Sequence, residues 1–167
     1  MKYDDIVKTR YSVRAYQDKV VDNEKIDQIL ESGRVAPTAK CSNSVFVYNL
    51  NESQIEQLKV ATPCTYDAKQ IFLVCYDKSL TYVREEDNAC FGIQDAAIVT
   101  THMMLKITEL GLGSVWVGNF NPNKVKEIFN LEDNIVPAMI LPFGYMPADS
   151  EPNERHFQRR TMEEFVK

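Results

Sequence analysis

The sequence predicts an α+β domain, one sheet covered by helices, and three observations carry that reading. The stretch Cys90–Gly118 reads as a long helix that passes through Gly111 into a short β-type run. Three further runs, Val45–Leu50, Ile71–Tyr76 and Ile135–Phe143, have the length and residue content of strands. Helical and strand segments mix without strict alternation, so the class is α+β and not a repeated βαβ.

The elements follow in order along the chain. Residues 3–9 can make a short helix with Ile6 and Val7 as its apolar side, and Thr9–Arg14 then looks extended. Asp22 is placed to N-cap a helix whose Ile26, Ile29 and Leu30 share one face, ending near Gly33. Ala36-Pro37-Thr38-Ala39 has to be a loop, because the residue before a proline is pushed out of the helical region. Val45–Leu50 alternates as a strand does, and Asn51-Glu52-Ser53 caps a helix running to Val60 or thereabouts. Ile71–Tyr76 is a continuous apolar run of strand length.

The central helix comes next. From Ala96 to Leu105 its only polar residues are Thr100, Thr101 and His102, so it is apolar most of the way round and must be buried on several sides. Gln94, Asp95, Lys106 and Glu109 interrupt it well short of the length of a membrane span. Gly111 stands where a C-cap glycine belongs, and Leu112–Val117 follows as a strand ending in Gly118. Asn121-Pro122 opens a short helix with proline at its first position, carrying Val125, Ile128 and Phe129. Ile135–Phe143 is the last strand, and Gly144-Tyr145-Met146-Pro147 turns the chain out of it. Ala148–Lys167 is polar until Met162, Phe165 and Val166; a tail of this kind is either disordered or packed on another subunit.

At 167 residues the chain is expected to be one domain, residues 1–167. A hydrophobic fraction of 44% and a charged fraction of 26% are those of a soluble globular protein. The net charge of -5 argues against nucleic acid as a partner of the whole surface. MKYDDIVKTR is charged from the start and has no apolar leader, and the four cysteines show no CxxC spacing. The expected setting is therefore cytoplasmic and reducing, without membrane, disulfide or structural zinc.

Chemistry-bearing residues are sparse. Neither GxGxxG nor the Walker pattern is present, so a nucleotide-type ligand would need arginines for its phosphate. Arg10 and Arg14, with Ser12 between them, fit that need, since guanidinium forks bind phosphate bidentately and a hydroxyl adds a donor. Two arginines in a terminal loop can equally be solvated surface. His102, inside the central helix, reads as a hydrogen-bonded core residue, and His156 in the tail is uninformative. Trp116, taken by itself, is more often core than ligand contact. Cys41 beside Lys40 is either a thiol favoured by a neighbouring cation or a small packing residue. No group of carboxylates or histidines has metal spacing.

Four stretches, in order, resemble one family. Arg10-Tyr11-Ser12-Val13-Arg14-Ala15-Tyr16 is similar to the R-x-S-x-R-x-[FY] signature of the nitroreductase family of flavoproteins. Ala36-Pro37-Thr38-Ala39 resembles its A-P-[ST]-A loop. Glu109–Gly118, ELGLGSVWVG, resembles the turn that ends its central helix. Pro142-Phe143-Gly144-Tyr145, followed by Arg159-Arg160 and Glu163-Glu164, resembles its last strand and basic tail.

The resemblance implies a nitroreductase-like fold: a mostly antiparallel sheet flanked by helices, the long helix at a homodimer interface, and a C-terminal arm on the partner subunit. It implies FMN between the two subunits and NAD(P)H as reductant. Arg10, Tyr11, Ser12 and Arg14 would hold the ribityl phosphate, joined by Arg159 or Arg160. Pro37, Thr38 and Ala39, followed by Cys41 and Asn43, would lie against the flavin ring of the other subunit. Trp116 and the backbone of Val117 and Gly118 would stand near the nitrogen that takes the hydride. Cys41 occupies the place of the family's usual asparagine and Asn43 that of its glutamine, so polar contacts to the ring are rearranged. Arg84-Glu85-Glu86-Asp87 is all that could cover the ring face.

The expected activity is ping-pong hydride transfer from NAD(P)H to a small nitroaromatic, quinone or similar acceptor, with no side chain needed as acid or base. A flavin-binding protein with little turnover, an FMN store or sensor, is the alternative.

Overall fold

The computed structural model describes residues 2–167. Its strands are β1 (Val45–Leu50), β2 (Gln70–Asp77), β3 (Gly113–Ser114) and β4 (Ile135–Gly144). Its helices are α1 (Tyr3–Thr9), α2 (Asn23–Arg34), α3 (Glu52–Leu58), α4 (Gly92–Glu109), α5 (Pro122–Phe129) and α6 (Met162–Phe165). All strand pairs are antiparallel, in the order β1-β2-β4-β3.

Successive residues of a strand point to opposite faces, and β2 is buried on both. Ile71, Leu73 and Cys75 meet Ile140 on one face, under Ile55 and Leu58 of α3 and Val125 of α5. Phe72 meets Leu141 and Phe143 on the other, under Ile26 and Ile29 of α2 and Val99, Met103 and Ile107 of α4. The Phe72 and Phe143 rings stack 4.6 Å apart. The result is three layers: α2 and α4, the sheet, then α3 and α5. This is the α+β arrangement that the mixed pattern of segments implied.

α4 ends as its sequence foretold. Gly111 takes a left-handed φ of 73°, which suits a residue without a Cβ, and turns the chain into β3. At the other end Gly92 is required by close approach: an added Cβ would lie 2.1 Å from a ring carbon of Tyr76. Gly92→Ala should therefore cost about 1–3 kcal/mol, the usual range for overpacking. Urea denaturation measures it, and an unchanged midpoint would mean that the Tyr76 ring moves aside freely.

Several boundaries differ for identifiable reasons. The strand expected over Leu112–Val117 shrinks to Gly113–Ser114 plus a single bridge between Val117 and Ile140. One register joins them, but its middle pair falls on Pro142, whose carbonyl accepts the Val115 N–H at 3.2 Å and which has no N–H to return. Asp22 occupies the N-cap position without capping; its carboxylate instead accepts the Tyr145 hydroxyl at 3.2 Å. α3 stops at Leu58, and Lys59, Val60 and Ala61 continue it only as bonds to the carbonyls three residues back. Asn51 does cap it, taking the Gln54 N–H at 3.0 Å.

Candidate functional site

Arg10–Tyr16 runs extended beside β3 and is stitched to the sheet. Ser12 pairs in parallel with Ser114, and the Val13 N–H donates to the Ser114 carbonyl at 3.0 Å. Tyr16 fixes the far end, its hydroxyl lying 2.9 Å from the Val13 carbonyl and 3.0 Å from that of Pro142. Burial pushes the Tyr16 phenol well above its ordinary pKa, so it stays a neutral donor. Val13 is buried. In an extended segment alternate side chains share a face, which sets Arg10, Ser12 and Arg14 together opposite Val13. Arg14 is exposed and its Nη1 lies 3.2 Å from the Ser12 carbonyl.

The first half of the tail docks on this same chain. Tyr11 donates its hydroxyl proton to Ser150, 2.9 Å from the carbonyl and 3.0 Å from Oγ. Its ring meets His156 edge-on at 6.4 Å. This brings Arg159 up to Arg10. Burial first, and the neighbouring Arg159 charge second, pull the Arg10 pKa below its ordinary value. Among the described residues neither Arg10, Arg14, Arg159 nor Arg160 has a carboxylate at ion-pair distance (the pairs present involve other cations). Guanidinium groups without a counter-ion have the fork geometry that suits an anion's oxygens. The outer tail is uncovered: Phe157, Met162, Phe165 and Val166 are all exposed.

The Pro37–Asn43 loop lies at another opening. Thr38 and Asn43 line a groove of about 330 Å³ with Val45, Val47 and Val99. Lys40, Cys41 and Asn43 all take left-handed φ values, 52°, 50° and 49°. Cys41 is exposed, and the Lys40 ammonium sits 4.3 Å over the centroid of the Tyr82 ring.

Trp116, which taken by itself is more often core than ligand contact and which the resemblance places near the flavin, is 42% exposed, following the point where β3 leaves its ladder. It opens onto an apolar bay of about 580 Å³ shared with Ile93, Ala97, Gly118 and Met139. The Val117 N–H is engaged, 2.9 Å from the Ile140 carbonyl. No hydrogen bond from the Gly118 N–H is found among the described residues, so of the two amides Gly118 is the one open to a ligand. His102 is only partly buried and makes no hydrogen bond among the described residues, against the expectation of a hydrogen-bonded core residue; it lies on the outer side of α4.

Among the described residues the arginine segment, the Thr38 groove and the Trp116 bay line separate openings. No group of three metal-ligating side chains occurs among the described residues, and none of their helices is long and apolar enough to cross a membrane. Sequence reasoning missed Asp95, which is 1% exposed and binds the Pro37–Asn43 loop. Its only signal was a lone carboxylate at the start of an otherwise apolar helix.

Fold and site together define an α+β protein whose described residues include arginines without carboxylate partners beside the sheet edge and an open apolar bay at Trp116. The family model described as Nitroreductase family matches residues 7–70 and 60–145, and the chain belongs to that family. A crystal structure of a nitroreductase family protein from Clostridium difficile 630 is 40% identical, with a TM-score of 0.93, covering 100% of this chain and 98% of that one. A relative from Methanothermobacter thermautotrophicus, provisionally named an NADH dehydrogenase/NAD(P)H nitroreductase, is 29% identical over 168 residues, 92% of this chain and 85% of that protein. A protein from Desulfovibrio desulfuricans, provisionally a nitroreductase and crystallised in complex with FMN, is 23% identical with a TM-score of 0.80, covering 96% of this chain and 92% of that one. At that identity the likeness speaks to the fold alone.

Proposed function

We propose that this chain binds FMN as a homodimer and works as an NAD(P)H oxidoreductase, moving hydride in ping-pong order to a small nitroaromatic, quinone or similar acceptor. The observation that carries the reading is the set of arginines without carboxylate partners around Ser12. A phosphate monoester supplies the two negative charges that Arg10 and Arg159 lack, and its oxygens match guanidinium forks. Family membership supports the reading, as does the NAD(P)H in the Methanothermobacter relative's name.

The residues present fit FMN. Arg10, Ser12 and Arg14 hold the phosphate, with Arg159 of the same tail beside them and Arg160 next in line. Tyr11 keeps the tail in place through Ser150. The Gly118 N–H and the Trp116 bay offer a donor and an apolar wall for a planar ring. The Pro37–Asn43 loop of a second copy closes the other side, which accounts for the three openings being apart in one chain. Bound FMN supplies the hydride chemistry, and the protein positions it and orients charge around it.

The test is purified protein supplied with FMN. NADH or NADPH oxidation that depends on an added quinone or nitroaromatic supports the enzyme. Tight FMN without turnover would make it a store or sensor, and colourless protein would remove the flavin altogether.

Cys41 gives a narrower test. Its thiol is a weak donor and acceptor where an amide would be strong, and asparagine tolerates the left-handed φ of 50° better than cysteine does. Cys41→Asn should shift the flavin's reduction potential while leaving the FMN dissociation constant nearly unchanged. An unmoved potential and unmoved reduction rates would make Cys41 a packing residue.

A further inference from the structure

Asp95 is a buried carboxylate that serves no helix cap and no ion pair among the described residues. It lies in the first turn of α4 and is 1% exposed. Its Oδ1 accepts the Ala39 N–H at 2.9 Å, and its Oδ2 lies 3.3 Å from the Ser42 hydroxyl. The Ser42 Oγ is also 3.0 Å from the Oγ of Ser44, which is fully buried. The Ser42 hydroxyl is thus the donor within reach of both the Asp95 carboxylate and the Ser44 hydroxyl oxygen. Both ends of Asp95 are thus spent on one loop, more than fifty residues away in sequence.

That loop needs outside support. Lys40, Cys41 and Asn43 are all left-handed, a backbone region disfavoured for any residue with a Cβ. Among the described residues its internal backbone bonds are two, Cys41 N–H to the Thr38 carbonyl and Ser42 N–H to the Ala39 carbonyl, each 3.1 Å. An apolar side chain in place of Asp95 would fill the space but strand the Ala39 N–H without its partner. The positive end of the α4 dipole offsets part of the burial of the charge.

We infer that Asp95 is a positioning residue: it locks the Ala39–Ser44 loop in the left-handed form that presents Thr38, Cys41 and Asn43 to the flavin ring. The inference rests on the FMN reading above. It assigns the loop's geometry to a side chain that itself touches no ligand, and so separates ring placement from phosphate binding.

The experiment compares FMN-loaded wild type, Asp95→Asn, Asp95→Ala and Ser42→Ala. The readouts are two-electron potential, visible absorption and FMN dissociation constant, with amide hydrogen exchange of residues 39–44 in FMN-free protein. Losing one bond to a charged acceptor should speed Ala39 exchange on the order of tenfold in Asp95→Ala. The potential and the absorption band should shift with it, while far-ultraviolet dichroism stays native. Asp95→Asn should restore most of both, because its amide oxygen still accepts from Ala39 and its NH2 can donate to Ser42. Faster exchange with unchanged potential and spectrum would reduce Asp95 to packing and overturn the inference, as would no change in any readout. Should Asp95→Ala fail to fold, Ser42→Ala carries the test, and an unmoved potential there overturns it. Wild type that takes up no FMN overturns the flavin reading and this one with it; FMN uptake with an unmoved potential in Asp95→Ala overturns this one alone.

Discussion

Arg10→Ala,Arg14→Ala protein should purify without FMN and fail to take it up, yet fold as the parent does. Each lost charge-assisted hydrogen bond is worth about 1.5–3 kcal/mol, so the pair should weaken FMN by about a hundredfold or far more. Stability in the absence of FMN should not fall. Neither arginine has a carboxylate at ion-pair distance among the described residues, and Arg10 folds with its pKa depressed by burial and by Arg159. The sign of that shift matters. A cation that binds its proton more weakly when folded opposes folding, a cost fully present below the folded pKa and relieved only as pH rises from the folded toward the unfolded pKa. Removing Arg10 at neutral pH therefore removes an unfavourable charge. The measurement is a thermal melt with and without FMN: the parent's midpoint should climb with added FMN and the variant's should stay put. Full FMN occupancy in the double variant would remove the phosphate assignment.

Much of this was legible because local rules decided it. Gly111 after Leu110 announced the end of α4, and φ of 73° is what a C-cap glycine adopts. Asn51 and Asn121 capped their helices from sequence-adjacent positions. Where a side chain had a choice between a near and a far partner, the local rule failed. Asp22 looked like a cap and went to Tyr145, and Asp95 looked like a mere interruption and went to Ala39. Pro142 cut the ladder of β3 only because its missing N–H falls opposite Val115, a register that sequence alone does not reveal. The proposed site is scattered over segments 10–14, 37–43, 116–118 and 159–160, and it is the family pattern, not composition, that suggests them. The pattern did not say that Arg159 reaches Arg10 within one chain, or that Val117's amide is already taken by Ile140.

Ile98→Asp should turn a dimer into a monomer and take the flavin with it. α4 buries Ala96, Val99, Thr100, Met103 and Ile107 within its own chain, yet Ile93 and Ile98 stand exposed on its other side, 46% and 37%. Trp116 is exposed nearby on the Ile93 bay, and the outer tail shows Phe157, Met162, Phe165 and Val166. Apolar groups of this size left open together are what a second copy covers in an obligate dimer. Met104 is a poorer probe, since its sulfur lies 4.0 Å from the Arg10 guanidinium and its loss would disturb the phosphate segment directly. In a two-fold interface each substitution counts twice, and an uncompensated charge there costs several kcal/mol per subunit. Sedimentation at micromolar concentration should find the parent dimeric and the variant monomeric. On the proposed shared site the variant should also bind FMN far more weakly although Arg10, Ser12 and Arg14 are untouched, because the Pro37–Asn43 loop over the ring would be the lost copy's. A monomeric variant that keeps its FMN would show the site to be complete in one chain, and the shared-site reading would go.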